Sequence, residues 1–287
     1  VGLLESVTGN MFAKIENPTN RTKRKELVEP LTNYLVGRAQ KDFNSRNSYI
    51  GGIFTATNRK LEPNLDFLRK SAYSGGLDFK HSWKDRNYYV QGNFVTSHVT
   101  GSKEAITDTQ NSLTHLFQRV DAGHVAIDTN RTSMTGTGGR LDLGKAGGGN
   151  WRYNGGFTWL SPELELNDVG FLRQADEIRQ YVEVERLFLK PTNWYRRAQV
   201  GIEQYTTYDF EGNYNRIQWE SEGFINLKNN WFVEGGAAHK PRIYSNTVLR
   251  GGPRWRWSEE NFYYVFAGSD ERKNFNATLG YVNSRAA

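Results

Sequence analysis

Between Arg216 and Leu227 polar and apolar residues take turns. Arg216, Gln218, Glu220, Glu222 and Asn226 share one parity; Ile217, Trp219, Ser221, Gly223, Ile225 and Leu227 share the other. Successive side chains of a strand point to opposite faces, so as a strand this run has one ionic and one apolar face. A helix would scatter the same charges around its circumference. The split recurs along the chain. Arg152, Asn154 and Thr158 oppose Trp151, Tyr153, Phe157 and Trp159, while Arg197, Gln199 and Glu203 oppose Ala198, Val200 and Ile202. Asp78 and Lys80 oppose Leu77 and Phe79, Gln91 and Asn93 oppose Val90 and Phe94, and Arg140 and Asp142 oppose Leu141 and Leu143. Near the end Asn276 and Thr278 oppose Phe275, Ala277, Leu279 and Tyr281. Strands around Leu4 and Val36 alternate less well. The fold class read from this pattern is all-β.

The connections add a second regularity. Short polar turns are expected at Asn44–Asn47, Lys84–Arg86, Gly147–Asn150, Pro191–Asn193, Lys228–Asn230 and Ser258–Asn261. Longer segments lie at Glu16–Pro30, Asn58–Ser71, Val99–Thr135, Ser161–Glu177, Asp209–Tyr214, Lys240–Gly252 and Ser269–Lys273. Long and short alternate, as in an antiparallel up-and-down barrel with turns at one rim and loops at the other. Making Val120–Ile127 a strand would break that alternation, so Val99–Thr135 is read as one long extracellular excursion. Within it, Ile106, Leu113, Leu116 and Phe117 suit a short helix over Ala105–Arg119. The expectation is a single barrel domain or barrel fragment over residues 1–287. It has about fourteen strands of roughly ten residues, the length at which a tilted strand crosses a bilayer.

Composition narrows the choice of solvent. The net charge of +6 is spread along the chain rather than gathered in a patch, so no nucleic-acid partner is expected. The absence of cysteine excludes disulfide scaffolds, Cys-zinc sites and thiol catalysis. No apolar run reaches the ~20 residues of a transmembrane helix. The mean hydropathy of −0.71 looks water-soluble. Averaging, however, erases an apolar face that occupies every second position. The chain begins at Val1 without an initiator Met or signal peptide, which reads as a mature chain or a fragment.

A soluble sandwich would alternate too, with its apolar faces packed between two sheets. Three features favour a membrane barrel instead. The strands are long for a sandwich, where about five or six residues is usual. Aromatic residues cluster near strand ends, at Tyr88–Tyr89, Trp151–Tyr153, Trp194–Tyr195, Trp231–Phe232 and Phe262–Tyr264; an interfacial girdle would lie there. The apolar faces also include small residues such as Gly223, Gly235 and Ala237. In this reading Arg140, Asp142, Arg152, Glu183, Glu185, Arg197, Glu203, Arg216, Glu220 and Glu222 line the lumen, with cross-strand Arg–Glu ladders. No closing pair of strands is evident, so further strands are expected.

Several stretches carry a family resemblance. VGLLESVT (Val1–Thr8), EPLTNYLVGR (Glu29–Arg38), SYIGGIFTATNR (Ser48–Arg59), LRGGP (Leu249–Pro253) and above all ELELNDVGFLRQAD (Glu163–Asp176) resemble the barrel region of the DUF5916 proteins of Bacteroidetes and related bacteria. The resemblance implies an outer-membrane β-barrel, which in full-length members often follows a domain similar to family 9 carbohydrate-binding modules. That module is not visible here, and any glycan contact would come through it. The family has no assigned biochemical function, so it supplies no catalytic residues.

The remaining constellations read as structural. Asn167, Asp168, Gly170 and Phe171, with Asp176 nearby, lie in a long loop. A cation contact by Asp168 is weighed against an Asx-type turn with Gly170 at an unusual backbone angle, and the turn is preferred. Glu183, Glu185, Glu220 and Glu222 alternate too regularly for a glycosidase pair. His81, His98, His115, His124 and His239 show no metal-ligand spacing, and no cofactor is expected. The runs Gly136–Gly139 and Gly147–Gly149 lack the Lys-Ser/Thr of a P-loop, and no nucleophile elbow occurs. Arg250–Pro253 and Asn58–Arg59 fall at loop–strand junctions, as loop anchors would. No enzymatic site is expected. The leading expectation is an outer-membrane channel, transporter or anchor in contact with lipid. A secreted all-β carbohydrate-binding or carbohydrate-processing protein, stacking sugars on Trp255 or Trp257, is the alternative. A purely structural envelope barrel is the third.

Overall fold

The computed structural model describes residues 1–286. In chain order the strands begin with β1 (Gly2–Thr8), β2 (Met11–Glu16), β3 (Lys23–Glu29), β4 (Thr32–Phe43), β5 (Ser48–Arg59), β6 (Ser71–Trp83) and β7 (Tyr88–Thr100). A single α-helix, α1 (Lys103–Asn111), precedes β8 (Ser133–Lys145), β9 (Trp151–Leu160), β10 (Glu177–Phe188), β11 (Tyr195–Tyr208) and β12 (Tyr214–Leu227). The chain continues through β13 (Phe232–Lys240), β14 (Ile243–Ser245), β15 (Trp255–Trp257), β16 (Glu260–Gly268) and β17 (Thr278–Ala286). Thirteen strands form one sheet in the order β1-β4-β5-β6-β7-β8-β9-β10-β11-β12-β13-β16-β17. The pairs β2-β3 and β14-β15 are separate two-stranded hairpins inside long connections. Every neighbouring pair in the large sheet is antiparallel.

Several expectations change. The chain contributes thirteen strands to the sheet rather than about fourteen, and no closed barrel is found. Trp255–Trp257 does not join the sheet, because its three residues pair with Ile243–Ser245 instead. Residues 241–259 are therefore one excursion from the loop rim, and Asn261 belongs to β16 rather than to a turn. The helix stops at Asn111, with Ser112 as its C-cap, and Leu116 turns into the left-handed region at φ 55°.

Registry fixes which residues share a face. Leu77 pairs with Phe94, Phe79 with Gly92, Leu143 with Gly155, Val184 with Ile202 and Val265 with Tyr281, building an apolar face. Nothing covers it: Leu77 is 64% exposed, Ile202 60% and Trp219 53%. No second sheet is stacked on these side chains among the described residues. At the turn rim Trp83 stacks on Tyr88, and the Arg186 guanidinium lies over the Trp151 ring. Two aromatic clusters depart from an outer girdle. Phe232 stacks on Phe224, and Phe262, Tyr264 and Phe266 form a ladder, all on the polar face.

The deepest burial lies beneath the loops on the polar face. Ala72, Val99 and Met134 on that face pack with Ile106 and Phe117 from residues 101–132, and with partly buried Val125 and Ile127. Leu164, Leu172 and Ala175 from residues 161–176 pack with Val95 and Leu160. Ile106 and Leu164 are fully buried.

Candidate functional site

All ten sequence-predicted wall residues lie on the one polar face. Asn154, Glu183, Glu203, Glu220 and Ala238 form one row across five strands. Arg152, Glu185, Gly201, Glu222 and Gly236 form the next. Arg140, Thr158, Arg179, Thr207 and Arg216 form another row nearer the loop rim. The expected Arg–Glu ladders are absent from these rows. Glu183 faces Glu203, which faces Glu220; Arg152 lies opposite Glu185 but donates to the Gly149 and Trp151 carbonyls, while Arg140, Arg179 and Arg216 turn to neighbours two residues along their own strands. Arg140 Nε donates to Asp142 at 2.7 and 2.9 Å, Arg216 donates to Gln218 Oε1, and Arg179 pairs with Glu177. Residues i and i+2 share a face at strand spacing, which a long guanidinium side chain spans. Arg197 instead places its guanidinium over the Phe224 ring at 5.6 Å. Cross-strand ion pairs do occur elsewhere on this face. Arg38 grips Asp78 bidentately at 2.7 and 2.9 Å over the bare Cα of Gly51, and Lys240 meets Glu260 at 2.9 Å.

Above these rows the long connections converge into an ionic knot. Asp168 accepts from Arg69 Nε at 3.0 Å and lies 2.8 Å from Arg59 Nη1. Glu165 is 3.1 Å from His115 Nε2, whose Nδ1–H donates to the Pro162 carbonyl at 2.7 Å. The backbone N–H of Glu165 donates to Ser97 on the sheet at 3.0 Å. Arg131 clamps Glu163 with two 2.8 Å bonds. A second group joins Arg119 to Asp176 at 2.6 Å, His124 to Asp176 at 2.8 Å and Arg254 to Asp209 at 2.9 Å. The backbone N–H of Arg254 donates to Asp121 at 2.6 Å. Arg131 holds the Glu163 carboxyl below the usual carboxylate range, with burial opposing it. Burial pushes Glu165 upward, but His115, Arg69 and the Asn167 N–H together outweigh it, and the carboxyl ends below its ordinary value.

The Asn167–Phe171 motif is part of this knot. Asn167 bridges the loop by accepting from the Leu172 N–H at 2.7 Å and donating to its carbonyl at 3.0 Å. Gly170 is not at a positive φ; a Cβ there would sit 2.9 Å from the Leu166 carbonyl, so crowding requires the glycine. Phe171 is 83% exposed. Asp168 and Asp176 belong to separate ionic groups.

A family model described as a domain of unknown function, DUF5916, matches residues 1–286. The chain belongs to the DUF5916 family. No curated protein matches it. In this DUF5916 chain the segment that carried the resemblance best, Glu163–Asp176, is also the one that ties the loops to the sheet. Sequence reasoning placed Arg59 and Arg250–Pro253 at junctions but missed Arg69, His115, Arg119, Asp209 and Arg254 as partners. Their separation from Glu165, Asp168 and Asp176 leaves no periodic signal; only the spacing of oppositely charged residues across several loops hints at them.

Proposed function

We propose that this chain is the wall of an outer-membrane β-barrel that serves as a channel, transporter or membrane anchor. One observation carries the reading: the large apolar side chains stand on an uncovered sheet face, while the chain's own loops fold over the ionic face. In water the uncovered face would be a large penalty; against hydrocarbon it is the favourable arrangement. The loops favour a sheet curved toward its polar side. Residues 101–132 leave the sheet at β7 and β8, and residues 241–259 leave it at β13 and β16. From β8 to β13 is five strand spacings, about 24 Å across a flat sheet. Yet Arg254 from one connection and Asp121 from the other are hydrogen-bonded.

Lipid leaves no backbone group unpaired, so both sheet edges need partners. Strand directions alternate across thirteen strands, which makes β1 and β17 run the same way. They do not close antiparallel on each other; an odd number of further strands completes the barrel, whichever polypeptide supplies them.

The test is expression in an outer-membrane host, followed by membrane fractionation and electrophoresis with and without boiling. The expected result is a detergent-dependent protein in the outer-membrane fraction whose unboiled form migrates faster. Recovery as a detergent-free soluble monomer would remove the proposal.

A further inference from the structure

We infer that residues 101–132 and 161–176 together form a displaceable plug that blocks conduction through this wall; the inference rests on the barrel reading. Three observations carry it. First, the two segments are seated on the polar face rather than standing away from the rim. Val95, Ser97, Val99, Met134, Gly136 and Gly138 all belong to that face, and each touches one of them or would do so with a Cβ. At Gly136 the loop lies directly on the strand: a Cβ there would overlap the backbone of Glu163 and Leu164. At Gly138 it would stand 2.8 Å from a Leu164 methyl. The seat is therefore shaped to accept this loop.

Second, the unit is tied sideways to connections from much of the sheet. Arg59 at the end of β5 and Arg69 from the β5–β6 connection hold Asp168, while Asp209 and Arg254 from the β11–β12 and β13–β16 connections complete the second ionic group. Ties reaching from β5 to β16 place the unit across the enclosed space rather than along one strand.

Third, neither segment is needed to join its strands. Thr100 pairs with Ser133 and the Gly101 N–H donates to the Thr132 carbonyl at 3.0 Å, so residues 102–131 leave and return at one point. Leu160 pairs with Glu177 in the same way around residues 161–176. Insertions that begin and end on paired residues move without unpairing the wall. The ties are ionic contacts and small apolar patches rather than one continuous core. The Arg131–Glu163 pair is partly exposed and contributes modestly, the Asp168, Asp176 and Asp209 pairs are buried and hold the unit more firmly, and the apolar contacts are confined to two small clusters.

The experiment is planar-bilayer conductance in KCl on this chain together with the strands that complete its barrel, with limited trypsin cleavage and unboiled electrophoresis. One variant, Gly136→Val, wedges the plug without changing charge. Gly75→Val is its control, since a Cβ at Gly75, on the apolar face, meets nothing within 4 Å. A second variant replaces residues 102–131 and 162–175 with short Gly-Ser linkers. The expected result is near-silent wild type and Gly75→Val, with conducting events at least tenfold more frequent in Gly136→Val or in the excised variant. Wild type that already conducts freely overturns the plug. So do variants that keep the heat-modifiable wall but stay as silent as wild type. Failure of every protein, wild type included, to show a heat-modifiable membrane form removes the barrel reading and the plug with it.

Discussion

Asp168 sits between the Arg59 and Arg69 guanidiniums with its side chain only 5% exposed. Asp168→Asn keeps the shape but leaves two largely buried arginines facing a neutral amide. Breaking a buried pair in this way costs about 3–5 kcal/mol. The loss should be local, so hydrogen exchange of residues 161–176 should accelerate while that of β6–β9 stays slow. Equal acceleration in the strands would show that loop and sheet unfold as one unit. Glu163 and Glu165 add a pH dependence. Both carboxyls titrate below their ordinary range in the folded chain. Their contribution is therefore complete above the unfolded Glu value, about 4.3. It is lost as pH falls through the depressed folded values. Pepsin cleavage within 161–176 should accordingly stay low at pH 4.5 and rise on further acidification; a flat profile down to pH 2 would count against this linkage. On the sheet, Glu203 faces Glu183 on one side and Glu220 on the other. Like charges directly opposite destabilise a sheet. Glu203→Gln should raise the temperature at which the unboiled band converts. A drop would mean that the row depends on its full charge.

The helix owes its start to Ser102, whose Oγ accepts from the Ala105 N–H at 3.0 Å and donates to the Asp66 carbonyl at 2.6 Å. One hydroxyl thus caps α1 and links it to the β5–β6 connection. Ser102→Ala should cost about 1 kcal/mol of local stability, read as faster exchange of the Ile106–Gln110 amides with the sheet unaffected. The turns show what pattern reading leaves out. Asn44, Ser45 and Arg46 have φ of 54°, 55° and 63°, and Lys84, Asp85 and Arg86 have 48°, 56° and 62°. Three left-handed residues in succession are costly for L-amino acids, and neither turn contains glycine. Their polarity announced a turn, but not its hand. The turns are stitched together at the rim, with Arg86 donating to Asn47 Oδ1 at 2.8 Å. The short hairpin β14-β15 misled for a related reason: Trp255–Trp257 alternates correctly, but three residues are too few to say which partner they pair with.

For the whole molecule, the period-two pattern foretold an antiparallel all-β fold, most strand positions and the shared face of ten charged residues, because alternation is a local consequence of strand geometry. The same locality explains what it could not supply. Registry alone sets Glu183 opposite Glu203 and Glu220, and registry is a relation between strands that no single strand encodes. The folding of the loops over the polar face depends on contacts such as Arg69 with Asp168 and Arg119 with Asp176, between residues 99 and 57 positions apart. Those contacts exist only once the strands have brought the loop ends together. Backbone alternation is written in neighbours; the covering of the polar face is written in distances across space, and folding is what converts the first into the second.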